Sequence, residues 1–271
     1  MEPDDRPELQ PLRVGEVIDV AFRIFRADFR TLVAAVAVAI LPIAVVGSLT
    51  VLWLAGVVDD AGDAGDAALT IVAILVLTLA SVAASQVGTA ACLRVVAATY
   101  LGTEPDWRVS LRFAADRLRS LLWLVLLTAL LLGLALLALV VPFVYFFVAW
   151  AVAVPVLLFE GTGGRAALSR SRELVRGRWW QTLATIAVAF ILASVAWAVI
   201  GGVLAGLVEA LAGDDSPVTT AGTFVVDVLG DLVVTPFTAV VTGVLYFDLR
   251  LRKEGFDADA LARALDIPPE A

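Results

Sequence analysis

A chain of 271 residues with no histidine, one cysteine and one methionine holds few groups that do chemistry at neutral pH. Histidine-based acid–base work and soft metal sites are excluded by composition, and no nucleophile–base set is visible. Cys92 stands alone, so an intrachain disulfide framework is excluded as well. Carboxylates and guanidiniums remain, and their chemistry is ion pairing, cation or proton binding, and the grip of anionic groups. Glu160, Asp227 and Asp231 form the candidate intramembrane polar site, because ionisable groups in or beside apolar runs are costly to bury. Glu160 closes a long uncharged run, where pairing with Arg165 or another basic neighbour makes it a structural anchor. Asp227 and Asp231 are four apart and share a helix face. They fit either a cation or proton site or the polar face of an interfacial turn. Arg170, Arg172, Arg176 and Arg178 are the candidate contacts to a headgroup or partner. Each cation near an anionic leaflet contributes on the order of 1 kcal/mol, fading over a Debye length of about 8–10 Å. Asp248 with Arg250 and Arg252 reads as an ion-pair belt at the end of a span. Ser81, Ser85 and Gln86 read as interhelical hydrogen-bonding residues. Gly161-Thr162-Gly163-Gly164 lacks the lysine of a phosphate loop and reads as a turn. No cofactor is expected.

The elements that must hold these groups are long and apolar. The chain is 61% hydrophobic and 17% charged, with a mean hydropathy of +0.96, far from a soluble domain. Uncharged runs cover Leu32–Val58, Ala67–Leu93, Ser120–Phe159, Trp179–Val208 and Leu232–Phe247. About 20 helical residues cross a hydrocarbon layer of roughly 30 Å. The run from Ser120 to Phe159 is too long for one crossing and must fold back near Val140-Val141-Pro142, since proline suits the first turn of a new helix. The expectation is an all-α, polytopic membrane bundle of six spans, at about 31–56, 69–93, 120–140, 142–159, 179–207 and 223–248. Residues 1–12 read as a loose tail and 13–271 as a single membrane domain.

Charge sets the expected orientation. All nineteen Lys and Arg residues fall in four segments, Arg6 to Arg30, Arg94 to Arg119, Arg165 to Arg178 and Arg250 to Arg263. The alternate connections carry Asp59, Asp60, Asp63 and Asp66, then Glu209, Asp214, Asp215, Asp227 and Asp231, without a cation. Basic segments stay on the cytoplasmic side, which predicts a cell-membrane protein with both termini cytoplasmic. The net charge of −8 is therefore an average over two unlike faces and does not point to nucleic acid. No cleavable signal peptide is expected, the first span serving as an uncleaved anchor. Eighteen arginines beside one lysine suggest a GC-rich bacterial genome.

Short amphipathic helices are expected on the cytoplasmic face. From Arg13 to Arg30 the apolar side is Val14, Val17, Ile18, Phe22, Phe25 and Phe29, its aromatics meant for the acyl boundary. From Glu104 to Arg119 it is Trp107, Leu111, Ala115 and Leu118. Arg165 to Arg178 is a third such helix and Asp257 to Leu265 a fourth. The pattern reads as three parallel units, each a surface helix followed by a hairpin.

Three segments carry a resemblance: Val14-Gly15-Glu16-Val17-Ile18-Asp19; Pro155 to Gly161 leading through Ala166 to Ser171 and Gly177-Arg178-Trp179-Trp180; and Leu245 to Arg250 followed by Arg252 to Asp257. As a set they resemble the bacterial, largely actinobacterial, multi-pass proteins known as the glycerophosphoryl diester phosphodiesterase membrane domain. The resemblance spans nearly the whole chain except the outer loops and implies an integral membrane protein. In some members that domain is fused to a catalytic α/β barrel with two histidines and a carboxylate-bound metal. This chain has no histidine, and no polar stretch approaching a barrel of about 250 residues, so phosphodiester hydrolysis is not expected. The expected function is that of a non-catalytic scaffold or accessory component of an envelope complex, with contacts to bilayer lipid, anionic headgroups and a membrane or cytoplasmic protein. The alternative is a transporter or lipid-handling protein with a cavity between its hairpins. Reporter fusions after Asp63 and after Gly213 are expected to read periplasmic, and one after Gly163 cytoplasmic; the opposite pattern would reverse the charge argument.

Overall fold

The computed structural model describes residues 12–58, 64–213 and 217–254. These form α1 (Val14–Ala27), α2 (Phe29–Val58), α3 (Ala64–Tyr100), α4 (Trp107–Asp116), α5 (Leu118–Ala138), α6 (Val140–Ala149), α7 (Ala153–Glu160), α8 (Gly164–Val175), α9 (Trp179–Ala212) and α10 (Pro217–Glu254), with no strand among the described residues. Among the described residues, six segments are long and apolar enough to cross a membrane: α2, α3, α5, α6 with α7, α9 and α10. The protein is an all-α polytopic helix bundle. The order short helix, then two spans, occurs three times, beginning at α1, α4 and α8. The tail before Leu12, the loop at Asp59 to Asp63, the turn at Asp214 to Ser216 and the helix expected at Asp257 to Leu265 lie outside the described residues.

The long uncharged run does fold back at the proline. Leu139 is extended (φ −173°, ψ 156°), α6 begins at Val140, and Pro142 sits in its first turn. The returning span is itself interrupted between Trp150 and Val152. Pro155 explains this, because it lacks an N–H and its ring would meet the carbonyl of Ala151 in a continuous helix. The Ala153 N–H bonds instead to Trp150 O at 3.0 Å. Ala149 O is then taken up from outside the span, by the buried Ser171 hydroxyl of α8 at 2.9 Å. α8 is thus packed into the break, with Ala167, Leu168, Leu174 and Val175 buried.

α10 is the central helix. It lies against α9, α2, α3 and α1, and 47% of its apolar window is buried, against 6% for α3. It runs unbroken through Asp227, Asp231 and Pro236. The uncharged run starts only at Leu232 because carboxylates interrupt the run, whereas they do not interrupt the helix. Close approach of α9 depends on Gly230, where a Cβ would lie 2.6 Å from Trp197 Cδ1. Small residues at such seams let helices pack without a hydrophobic driving force between them.

The surface helices depart from expectation in which side they bury. α1 sets Val17, Ala21, Ile24 and Phe25 into the bundle, while Phe22 and Phe29 stay exposed. Only part of its aromatic side is therefore free for an acyl boundary. Phe25 meets the edges of Phe29 and Phe237, at 5.3 and 5.8 Å between ring centroids. α4 buries Ser110, Phe113 and Ala114, and Ala115 is exposed. The guanidiniums of Arg94 and Arg117 lie 5.6 and 3.8 Å from the Phe113 ring and draw that side inward. α3 accordingly continues past Leu93 to Tyr100 and takes Arg94 into its buried part.

Gly230→Val is expected to force α9 from α10 and cost about 1–3 kcal/mol, the range for overpacking. Gly202→Val, where a Cβ meets nothing within 4 Å, serves as control. Thermal unfolding of both in detergent checks this, and equal transitions would contradict the seam.

Candidate functional site

The starts of α2 and α9 and the ends of α3, α7 and α10 meet at one end of the bundle. The cations among the described residues lie at these ends or on and beside the short helices α1, α4 and α8. Two polar clusters tie them. In the first, the buried Asp248 carboxylate of α10 accepts the Leu12 N–H at 2.8 Å. Arg252, one turn later, donates from Nε to both Asp248 oxygens at 3.0 and 2.9 Å and reaches Leu12 O at 2.6 Å. Gln181 of α9 donates to the same carbonyl at 2.9 Å, and Arg178 donates to Gln181 at 2.5 Å. Two helices distant in sequence, α9 and α10, thus close on the one backbone unit that leads into α1.

The second cluster joins α7, α8 and α10. Arg170 Nε pairs with Glu160 at 2.9 Å, one terminal nitrogen with Glu173 at 3.3 Å and the other with Glu254. Tyr246 donates to Glu160 at 3.2 Å and accepts from Arg250 at 3.1 Å. Lys253 donates to the Glu173 carbonyl. The hydrogen bond to Glu254 holds the Arg170 guanidinium above its ordinary range against partial burial, with Glu160 acting in the same sense. Arg170 is charged at every accessible pH. A third, smaller tie joins the start of α2 to α3: Thr99 donates to Asp28 at 2.8 Å. Burial pushes the Asp28 carboxyl up, and the Thr99 bond opposes that.

The residues singled out from sequence are not one site. Glu160 and Arg170 come together, Glu160 choosing Arg170 over the nearer Arg165. Asp227 is exposed and Asp231 half-buried. Both lie on α10 at least fifteen residues before Tyr246, about 22 Å along the helix, so they share nothing with Glu160. Arg172 and Arg176 are exposed and border a cavity of about 650 Å³ together with Tyr145, Glu173 and Trp179. A second cavity, about 310 Å³, lies among Thr128, Trp150, Phe190 and Thr242, and a third, about 210 Å³, beside Phe25 and Phe237. None of the three is lined by Glu160, Asp227 or Asp231. Sequence reasoning missed Leu12, Gln181, Tyr246 and Glu254. Tyr246, Arg250 and Glu254 stand four apart, as do Asp248 and Arg252, and that spacing was the available signal.

Six apolar spans with ionic ties at one end define a polytopic α-helical membrane protein. The chain belongs to the family described as a domain of unknown function (DUF8558), whose model matches residues 112–267 and so takes in the second cluster and the members of the first other than Leu12. No curated protein and no solved structure matches it.

Arg170→Gln leaves Glu160 and Glu254 facing each other without their shared cation. The expected loss is about 1.5–3 kcal/mol, the range for hydrogen bonds to charged groups. Arg165→Gln is expected to be neutral. Unfolding in detergent measures both, and equal midpoints would contradict a structural role for Arg170.

Proposed function

We propose that this protein is a non-catalytic scaffold or accessory component of a membrane complex, in the cell membrane with both termini cytoplasmic and its cationic end at the anionic inner leaflet. The observation that carries the reading is where the inner carboxylates go. Glu160 and Asp248 are engaged by Arg170, Tyr246, Arg252 and the Leu12 backbone, so they join helices and do not face the cavities described. A second support is the apolar flank of α3, where Ile71, Leu75 and Leu79 are exposed and are free to meet lipid or another membrane helix. The absence of histidine from the whole chain supports a role without phosphodiester hydrolysis, and the likeness to the glycerophosphoryl diester phosphodiesterase membrane domain is carried over only for the membrane part.

The alternative is lipid handling or transport. It draws on the cavity beside Arg172 and Arg176, which is open to a headgroup. Photocrosslinking from the α3 flank in native membranes, at Ile71 and Leu75, separates the two. The scaffold reading expects one protein adduct that recurs at both positions. Lipid adducts alone, together with solute or lipid flux in reconstituted vesicles, would replace it with the alternative.

A further inference from the structure

We infer that the cavity between α6, α8 and the start of α9 binds one phosphate ester, with Arg172 and Arg176 as its cationic grip and Tyr145 and Trp179 as its wall. For a lipid headgroup as the source, the inference rests on the orientation proposed above.

Charge is the first argument. Beside the cavity, Arg170, Arg250 and Lys253 stand against Glu160, Glu173 and Glu254, and their contacts close that group on itself. Glu173 also borders the cavity, and Arg170 holds its carboxylate at 3.3 Å. Arg172 and Arg176 are left over: both are exposed, and neither has an ion-pair partner among the described residues. They stand four apart at the end of α8 and so project on one side. Paired guanidiniums match the oxygens of a phosphate through forked hydrogen bonds, which a single ammonium does not.

The second argument is that the wall is built. Gly177 adopts φ 90°, in the left-handed region, and turns the chain from α8 into α9. Trp179 then donates through Nε1 to Tyr145 O at 3.3 Å, and the two rings stack at 6.3 Å. Arg172 lies 6.0 Å over the Tyr145 ring. Amphipathic rings beside arginines suit the depth at which a headgroup meets its acyl chains. The volume, about 650 Å³, falls within the usual range for small-ligand clefts, about 300–1,000 Å³.

The test uses the full chain in phosphatidylcholine nanodiscs titrated with phosphatidylglycerol, with bound lipid counted by native mass spectrometry. Arg172→Gln with Arg176→Gln is expected to weaken phosphatidylglycerol binding about 10- to 30-fold, through loss of two direct charge-assisted contacts to the phosphate. The thermal transition should not move, since both side chains are exposed. Arg165→Gln with Arg108→Gln removes the same charge away from the cavity and should change binding less than about three-fold. Inorganic phosphate and glycerol 3-phosphate identify the source. Competition by either at millimolar levels supports the site with a soluble phosphate as occupant, and arginine-dependent binding without competition supports it with the lipid. Unchanged phosphatidylglycerol binding in the Arg172/Arg176 variant, or an equal loss in the control variant, would overturn it. Crosslinking from α3 is read separately, so a failed phosphate site and a failed scaffold reading remain distinguishable.

Discussion

Asp248 carries its carboxylate where 1% of its side chain meets solvent, and a charge so placed must be compensated within hydrogen-bond reach. Much of the packing at this end of the bundle follows from that requirement. Arg252, one turn on, supplies the cation, but its guanidinium has donors left over, and Leu12 O accepts one of them. The same residue gives its N–H to Asp248. The entry to α1 is thereby fixed to the exit of α10, and α1 lies along α10 and α9 instead of floating free in the interface. Glu160 obeys the same rule on α7. Its partner Arg170 sits on α8, so compensation of the carboxylate also fixes α8 against α7 and α10.

The break between α6 and α7 follows the same rule, applied to the backbone. The break before Pro155 turns the Ala153 N–H to Trp150 and so frees the Ala149 carbonyl, and in a membrane protein such a group is satisfied from a neighbouring element. Ser171 does this for Ala149. α8 is therefore held from two sides, by Ser171 toward α6 and by Arg170 toward α7 and α10. A helix that composition assigns to the membrane surface is in fact wedged among spans. Its outward edge carries Arg165, Ala166, Ser169, Arg172 and Arg176, followed by Arg178 in the turn to α9, while Glu173 is held by Arg170.

The spans were legible because hydropathy and length are local properties. The six apolar segments, the fold-back at Pro142 and the continuation of the last span past Asp231 all follow from residues close in sequence. The pairing of Glu160 with a basic neighbour was legible in kind but not in identity, since Arg165 and Arg170 both lie within reach and only the packing of α8 selects between them. The buried side of α4 escapes a simple helical pattern, because Phe113 is covered by Arg94 and Arg117, cations that composition alone places in water. The Asp248–Arg252 pair was legible from its spacing of four, whereas its closure on Leu12 left no trace in sequence. Its donors and acceptors are backbone groups and residues more than 160 positions apart, and no periodicity connects them.

The functional reading depends on this division between charges used inside the fold and charges left outside it. The most direct measurement is a double-mutant cycle on Asp248 and Arg252, using Asp248→Asn, Arg252→Gln and the pair, followed by unfolding in detergent. If the clasp organises this end of the bundle, the two changes are strongly non-additive, with a coupling of about 1.5–3 kcal/mol. Additive effects, or a coupling below about 0.5 kcal/mol, would mean that Asp248 is solvated in the membrane protein and that the helix ends are held by something else.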